Sequence, residues 1–376
     1  MAPGRASRPG ATLSGPMTPK PADARLRVDD FDYELPATAI AQTPAEPRDA
    51  ARLLVLDRDA SAPGQPAVSH RTFRDVGELL RPGDLLVVND SRVIPARLPA
   101  TRVGGGSAEI LLLRPIQNEA DRWEALVRPS RRIPPGGTLV LRSGDRVEVG
   151  EGLGGGTRAI RFDRDPYLVM NEAGETPLPP YIRDRSTSPD RYQTVYARPP
   201  GSAAAPTAGL HFTEELLRSL KAGGVARAHV TLHVGLDTFR PLDGALVDEH
   251  RIHREWYEIP PETDAAIATA RREGGRVVAV GTTSVRVLET AARDGNGADW
   301  TDLYITPPHE FRAVDALITN FHLPRSSLLV LVTAFVHAGM RAATPLGARD
   351  TLLGAYRTAL AEGYRFFSFG DAMFIA

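Results

Sequence analysis

The pattern of apolar residues changes character once, near Asp163, and that change constrains the fold more than any other feature of the chain. From about Phe73 to Phe162 short apolar runs follow one another at 85–88, 93–98, 109–113, 123–127, 138–141, 146–149 and 158–162. Between them lie Pro82-Gly83-Asp84, Pro135-Gly136-Gly137 and Ser143-Gly144-Asp145, with glycine runs at 104–106 and 154–156, all suited to tight reversals. Many short antiparallel strands of this kind close into a small barrel. After Asp163 strands alternate with helices, the pattern of a layered α/β domain.

A length of 376 residues is about two domains' worth, and 42% hydrophobic residues suffice for a real core. Basic and acidic residues nearly balance, at 45 against 46, which excludes a histone-like or tail-driven nucleic-acid binder. The absence of cysteine removes disulfides, thiolate nucleophiles, zinc ribbons and iron–sulfur clusters together. Chemistry therefore falls to His, Asp, Glu, Arg, Ser, Thr or Tyr. Lys20 and Lys221 are the only lysines, a bias that runs through the whole chain and reads as codon usage rather than a phosphate site. Residues 1–27 are rich in Pro, Ala, Gly and Arg without an apolar run, which reads as a disordered tail on a cytoplasmic protein with no membrane segment. The tail also resembles a transit peptide loosely, but has no amphipathic period.

In the α/β part, a strand at 277–280 leads into the polar turn Gly281-Thr282-Thr283-Ser284 and a helix at 285–292. A strand at 316–319, a loop at 320–327 and a buried helix at 328–336 repeat the scheme. A last strand is expected at 365–369, leading into Gly370-Asp371. Ligands of open α/β sheets sit beyond the carboxyl ends of strands, so these loops are the default site.

Gly209 and His211 stand just before Thr213, a good N-cap, which aims an imidazole and free backbone amides at one space; His211 simply supporting the turn is the competing account. Alternation in Ala228-His229-Val230-Thr231-Leu232-His233-Val234 puts His229 and His233 on one strand face; with no third ligand nearby, a half-exposed face explains them better than a metal pair. The segment from Asp248 to Glu255 is the densest ionisable cluster, and His250 and His253 have helical metal spacing without a complete motif. Acid–base work without metal, or a solvated face, fits the same residues. Gly281-Thr282-Thr283-Ser284-Val285-Arg286 resembles a cradle for phosphate or carboxylate, though it lacks a P-loop lysine; a plain capped helix is the alternative. Asn320-Phe321-His322-Leu323-Pro324-Arg325 combines amide, imidazole and guanidinium in one loop. Arg128-Pro129-Ser130-Arg131-Arg132 is the best local basic patch, a weak RNA signal alone.

These stretches, in this order, resemble the S-adenosylmethionine:tRNA ribosyltransferase-isomerase family of the queuosine pathway. Matching passages include Ser91-Arg92-Val93-Ile94-Pro95-Ala96-Arg97-Leu98, Pro177-Leu178-Pro179-Pro180-Tyr181-Ile182 and Ala205-Pro206-Thr207-Ala208-Gly209-Leu210-His211-Phe212. Val280-Gly281-Thr282-Thr283-Ser284-Val285-Arg286, Thr319-Asn320-Phe321-His322-Leu323-Pro324 and Phe367-Ser368-Phe369-Gly370-Asp371-Ala372 continue the match, which covers about 28–375. The resemblance implies an α/β fold in which a layered domain, 28–70 and 164–376, carries an inserted small antiparallel β-barrel at 71–163. It implies transfer and isomerisation of the ribosyl group of S-adenosylmethionine onto the aminomethyl group of a 7-deazaguanine at the tRNA wobble position, giving epoxyqueuosine, adenine and methionine. S-adenosylmethionine is then a co-substrate, no prosthetic group or metal is implied, and the partner is the tRNA anticodon loop, met by a monomer or weak homo-oligomer.

The sulfonium acidifies the adjacent ribose carbon, so such an enzyme needs a base there, a proton donor for departing adenine and a neutral attacking amine. On that footing His211 and His233 are expected to move protons, and Asp371 or Glu289 to face the sulfonium or a hydroxyl. Arg286 is expected to hold the methionine carboxylate, and Asn320 and His322 to line the adenosine. Thr207, Gly209, Thr282, Thr283 and Ser284 complete the expected co-substrate site. Two positions depart from the family's usual pattern: Leu236-Asp237 replace a small residue and glycine, and Pro308-His309 replace Gly-Tyr. They motivate a second reading with another acceptor, and a third reading is a non-catalytic RNA-binding protein.

Overall fold

The computed structural model describes residues 25–376 apart from 118, 236–241, 253, 296 and 342. Most of the expected tail therefore lies outside the described residues, but Arg27 pairs with Leu246 in an antiparallel bridge, so 25–27 belong to the folded body. The chain then forms β1 (Arg52–Ala62), β2 (Gln65–Thr72), the short helix α1 (Val76–Leu79), β3 (Leu85–Asn89) and β4 (Arg92–Val93). Next come β5 (Arg97–Arg102), β6 (Ser107–Ile116), β7 (Glu119–Arg128), β8 (Gly137–Leu141), β9 (Arg146–Gly154) and β10 (Thr157–Phe162). After these follow α2 (Pro166–Ala173), β11 (Pro200–Ser202), α3 (Glu214–Ala222), β12 (Ala226–Leu232) and β13 (Glu255–Glu258). The remaining elements are α4 (Pro261–Arg272), β14 (Val277–Val280), α5 (Thr282–Asp294), β15 (Ala298–Thr301), β16 (Ala316–Asn320), α6 (Ser327–Gly339), α7 (Pro345–Ala361) and β17 (Ala372–Ile375).

Six antiparallel strands close a barrel in the order β10-β7-β6-β5-β8-β9. Alternation fills it: Leu98, Ile110, Leu112, Trp123, Val127, Leu139 and Ile160 point inward, and Val169 and Met170 of α2 join the same cluster. The chain enters and leaves through a narrow neck, where Arg97 and Glu175 exchange backbone hydrogen bonds of 3.1 and 2.8 Å. The barrel therefore begins at Arg97, well after the expected boundary at 71. The intervening run Leu85-Leu86-Val87-Val88-Asn89 is β3, which lies in the middle of the large sheet. All five of its residues are buried, as a strand covered on both faces requires.

That sheet has nine strands in the order β15-β13-β12-β3-β14-β16-β17-β1-β2. Its parallel centre is β12, β3, β14 and β16. Leu85 and Val87 face the core beneath α5, α6 and α7, with Val285, Phe335 and Tyr356, while Leu86 and Val88 face α3, with Phe73, Phe212 and Leu216. Thr213 caps α3 by accepting from the Leu216 amide, as the sequence predicts. The expected strand at 365–369 is instead a buried aromatic hook, with Phe367 at φ 70°, and the strand follows it as β17. Phe366, Phe367 and Phe369 are core packing there, so their apolar run signals burial rather than extension.

β3 and β14 are pinned together at their starts by Asp84, which accepts from Arg276 Nη2 at 2.6 Å and from the amides of Arg81 and Arg276. Burial pushes the Asp84 carboxyl up, but these donors together hold it below the ordinary carboxylate range. Its stabilisation is therefore complete above the unfolded value near pH ~4 and is lost as pH falls through the lower folded value. Asp84→Ala strands a half-buried guanidinium and should cost about 3 kcal/mol, read as a lowered denaturation midpoint at neutral pH, with the gap to wild type closing in acid.

Candidate active site

Two neighbouring concavities open beside the carboxyl ends of the parallel strands, both lined by Leu328 on the first turn of α6. The smaller, about 60 Å³, lies where α5 and α6 begin and is lined by Thr207, Thr282, Thr283, Thr319, Asn320 and His322, among others. The polar turn predicted at 281–284 is the helix start itself: Gly281, at φ 86°, is the cap and Thr282 the first helical residue. Only glycine takes that backbone angle without strain. Thr283 Oγ1 is buried with no hydrogen-bond partner among the described residues. Ser284 faces away, donating its hydroxyl to the Val280 carbonyl at 2.7 Å.

Asn320 organises the small cavity. Its Oδ1 accepts from Thr207 Oγ1 at 2.8 Å, and its Nδ2 donates to His211 Nε2 at 3.2 Å, so His211 sits behind Asn320 rather than in the cavity wall. His211 packs against Phe73 at 4.9 Å between ring centroids. Burial, with Arg365 and Arg48 nearby, pushes the His211 imidazole down to about 3. Gly209, in the same 3-10 turn, packs against the Tyr196 hydroxyl and is also outside both linings. His322 does line the cavity; its Nε2 meets Thr319 Oγ1 at 3.3 Å and its amide donates to Tyr356 Oη at 3.1 Å. Burial lowers the His322 imidazole to about 3.

The larger concavity, about 930 Å³, is a cleft between barrel and α/β domain. The barrel supplies Arg114, Leu126 and Tyr167; the other wall supplies His233, Trp256, Arg286 and Trp300. His233 lies one residue beyond β12, with its ring stacked on Trp256 at 5.0 Å and 20°. Gly201 lets this happen, because a Cβ there would sit 2.7 Å from the imidazole. Burial pushes His233 down to about 4, and its Nδ1 is buried without a partner among the described residues. His229, four residues earlier on the same strand face, lines a separate groove.

Arg286 is locked in place: Nη1 pairs with the Glu255 carboxylate, Nε donates to the Leu303 carbonyl at 3.2 Å, and Glu255 also accepts from the Gly235 amide. Its remaining nitrogen, Nη2, is buried with no partner among the described residues. Such a held guanidinium with one free donor suits a carboxylate or phosphate oxygen.

The structure does not bring Asp371 and Glu289 to either concavity. Asp371 accepts from the amides of Arg52 and Arg365 at 2.9 and 2.8 Å, tying the aromatic hook to β1. Glu289 accepts from the amides of Arg312 and Ala313 at 3.0 and 2.9 Å. Both are carboxylates spent on backbone, a use that sequence spacing does not show. His309, one of the two departing positions, stands 3.6 Å from Glu289 and is not in the cleft wall; Leu236-Asp237 lie outside the described residues. Of the paired histidines, His250 lines the cleft beside Tyr304 and His253 lies outside the described residues. Among the described residues no group of three His, Cys, Asp or Glu is placed to hold a metal ion, and no helix is long and apolar enough to cross a membrane.

Sequence reasoning missed the partnership of Glu255 with Arg286 and the facing tryptophans of β13 and β15, Trp256 and Trp300, which lie opposite in register. The alternation in Glu255-Trp256-Tyr257-Glu258 was the available signal, since it buries Glu255 and Tyr257 together.

A family model described as queuosine biosynthesis protein matches residues 28–375. A protein of Moorella thermoacetica named S-adenosylmethionine:tRNA ribosyltransferase-isomerase is 51% identical over 359 residues, covering 93% of this chain and 100% of its own. One of the same name from Symbiobacterium thermophilum is 51% identical over 360 residues, with the same coverage. The crystal structure of S-adenosylmethionine tRNA ribosyltransferase from Thermotoga maritima is 41% identical, covers 92% of this chain and 100% of its own, and superposes with a TM-score of 0.52.

Because the folded values of His211 and His322 lie below the unfolded value near 6.5, the unfolded chain binds more protons between them, and stability rises with pH across that window. Both rings should stay neutral by NMR down to about pH 4, and chemical-denaturation midpoints should fall as pH drops from about 6.5. A ring that protonates near 6.5 would show its burial to be overstated.

Proposed function

Because this chain belongs to the queuosine biosynthesis protein family, we propose that it transfers and isomerises the ribosyl group of S-adenosylmethionine onto 7-aminomethyl-7-deazaguanine at the tRNA wobble position. Epoxyqueuosine-tRNA, adenine and methionine are the products of this reading. The observation that carries the site assignment is a pair of buried nitrogens without a partner among the described residues, Arg286 Nη2 and His233 Nδ1, in one large cleft between barrel and α/β domain.

At about 930 Å³ the cleft has room for a nucleoside and an incoming base, whereas the cavity of about 60 Å³ takes only a small polar group such as a ribose hydroxyl. Arg286 then receives the methionine carboxylate, with Glu255 and the Leu303 carbonyl fixing the direction of the fork. Trp256 and Trp300 offer aromatic faces to a purine or deazapurine. His233 is held neutral, so it is free to take the proton from the carbon beside the sulfonium. Departing adenine needs a proton at nitrogen, and the acceptor amine must be neutral to form its carbon–nitrogen bond. Asn320 and Thr207 serve the co-substrate through the small cavity, with His211 as the group that orients Asn320. Asp371 and Glu289 hold the scaffold in this reading, since backbone amides occupy their carboxylates.

Purified protein incubated with S-adenosylmethionine should release adenine and form epoxyqueuosine together, and only when tRNA carrying the aminomethyl base is present. Adenine without that dependence would indicate another acceptor, and no adenine would leave only RNA binding. Within the reaction, His233→Ala should lower kcat by about a hundredfold, and Arg286→Gln should raise KM for S-adenosylmethionine by about tenfold or more. Asp371→Asn should lower the melting temperature; a variant that melts normally yet loses turnover would return Asp371 to a catalytic role.

A further inference from the structure

A third concavity, of about 720 Å³, lies between α3 and the sheet, where the site just described makes no use of it. Its wall carries four cations, Arg198, Arg218, Lys221 and Arg227, against a single carboxylate, Glu214. Arg198, Arg218 and Lys221 make no side-chain ion pair or hydrogen bond among the described residues, and Arg227 only overlies the Tyr196 ring at 5.9 Å. Several surface guanidinium groups elsewhere are met by carboxylates: Arg114 by Glu124, Arg161 by Glu148, Arg164 by Asp145 and Arg293 by Asp294. A chain of formal net charge −1 thus concentrates four cations in one groove, with Asp90 3.9 Å from His229 as the nearby buried acid. His229, at the groove's floor, registers that field: burial first, and then Arg227 and Arg198, push its imidazole down to about 4.

Arg227 and His233 mark opposite ends of β12, six residues apart, or roughly 20 Å at ~3.3 Å per residue. That spacing lets one folded RNA reach the cleft and the groove together. The groove gives a base nothing to stack on, because the Tyr196 ring is already flanked by Arg227 and His229 and its hydroxyl is buried. Cations without a stacking platform suit a phosphate backbone and position it without reading sequence.

We propose that this groove binds the phosphodiester backbone of the tRNA whose wobble base enters the cleft, holding phosphates roughly 20 Å from the reacting nucleotide. The choice of tRNA rests on the ribosyl-transfer reading; the groove's preference for an RNA backbone does not.

Equilibrium binding of a full-length, unmodified tRNA transcript across a salt series tests this without requiring turnover. Arg218 and Lys221 are exposed on α3, so the double variant Arg218→Ala/Lys221→Ala should fold normally. It should bind about tenfold more weakly at ~0.1 M salt, and its slope of log affinity against log salt should be shallower by about 1.4 to 1.8, as loss of two phosphate contacts requires. Arg218→Lys should retain binding, and Glu214→Gln should tighten it, a gain that misfolding cannot mimic. With saturating tRNA, kcat should match wild type. Unchanged affinity and slope would overturn the proposal. So would saturable binding of inorganic phosphate that the double variant loses while tRNA affinity stays the same, since that describes a single-anion pocket. If no adenine is released under any condition but the salt slope still responds, the ribosyl-transfer reading fails and the groove stands.

Discussion

Taking a guanidinium and a carboxylate out of water together is costly, and the pair formed by Arg286 and Glu255 is tolerated because nearly every remaining donor and acceptor has a fixed use. Glu255 belongs to β13 and Arg286 to the second turn of α5, so the pair ties the antiparallel wing of the sheet to the helix that follows β14 of its parallel centre. Gly235 and Leu303 are drawn in by the same two side chains. The wall that carries His233, Trp256 and Trp300 is therefore set by electrostatics as much as by apolar packing. Within the pair, Arg286 Nη2 alone has no partner among the described residues, and it lines the cleft.

Around this point the protein keeps its imidazoles uncharged. His211, His322 and His233 are lowered chiefly by burial, and each is held by aromatic or hydroxyl neighbours rather than by carboxylates. For the proposed reaction this is an advantage, because cationic imidazoles would repel the positive sulfur of a sulfonium. The carboxylates that might have been expected to offset that charge, Asp371 and Glu289, are instead spent on backbone amides.

What the sequence could reveal divides along the range of the forces involved. Barrel strands and the capped start of α3 are written in local alternation and turn chemistry, and they were legible. β3 was legible as a strand but not as a member of the large sheet, since an apolar run does not say which partners cover it. The hook at 365–369 looked extended for the same reason, its phenylalanines being buried in a turn. Motif resemblance singled out Arg286, His233 and Asn320, yet their separation between cleft and small cavity depends on contacts across more than a hundred residues, such as Asn320 with His211. The Glu255 partnership and the unmatched cations of α3 were invisible for the opposite reason, because each is an ordinary charged residue until its neighbours are known.

The narrow neck at Arg97 and Glu175 bears on how such a chain assembles. β3 must find β12, pairing Leu85 with Ala226, and then β14, pairing Leu85 with Val277, so the centre of the sheet is built from strands far apart in sequence. Distant pairings of this kind slow folding, because chain entropy is lost before contacts form. A barrel whose six strands all pair within residues 97–162, with its two ends hydrogen-bonded to each other, keeps its strands out of that search. The insert thereby adds six strands to the protein without adding a single strand to the pairings of the host sheet.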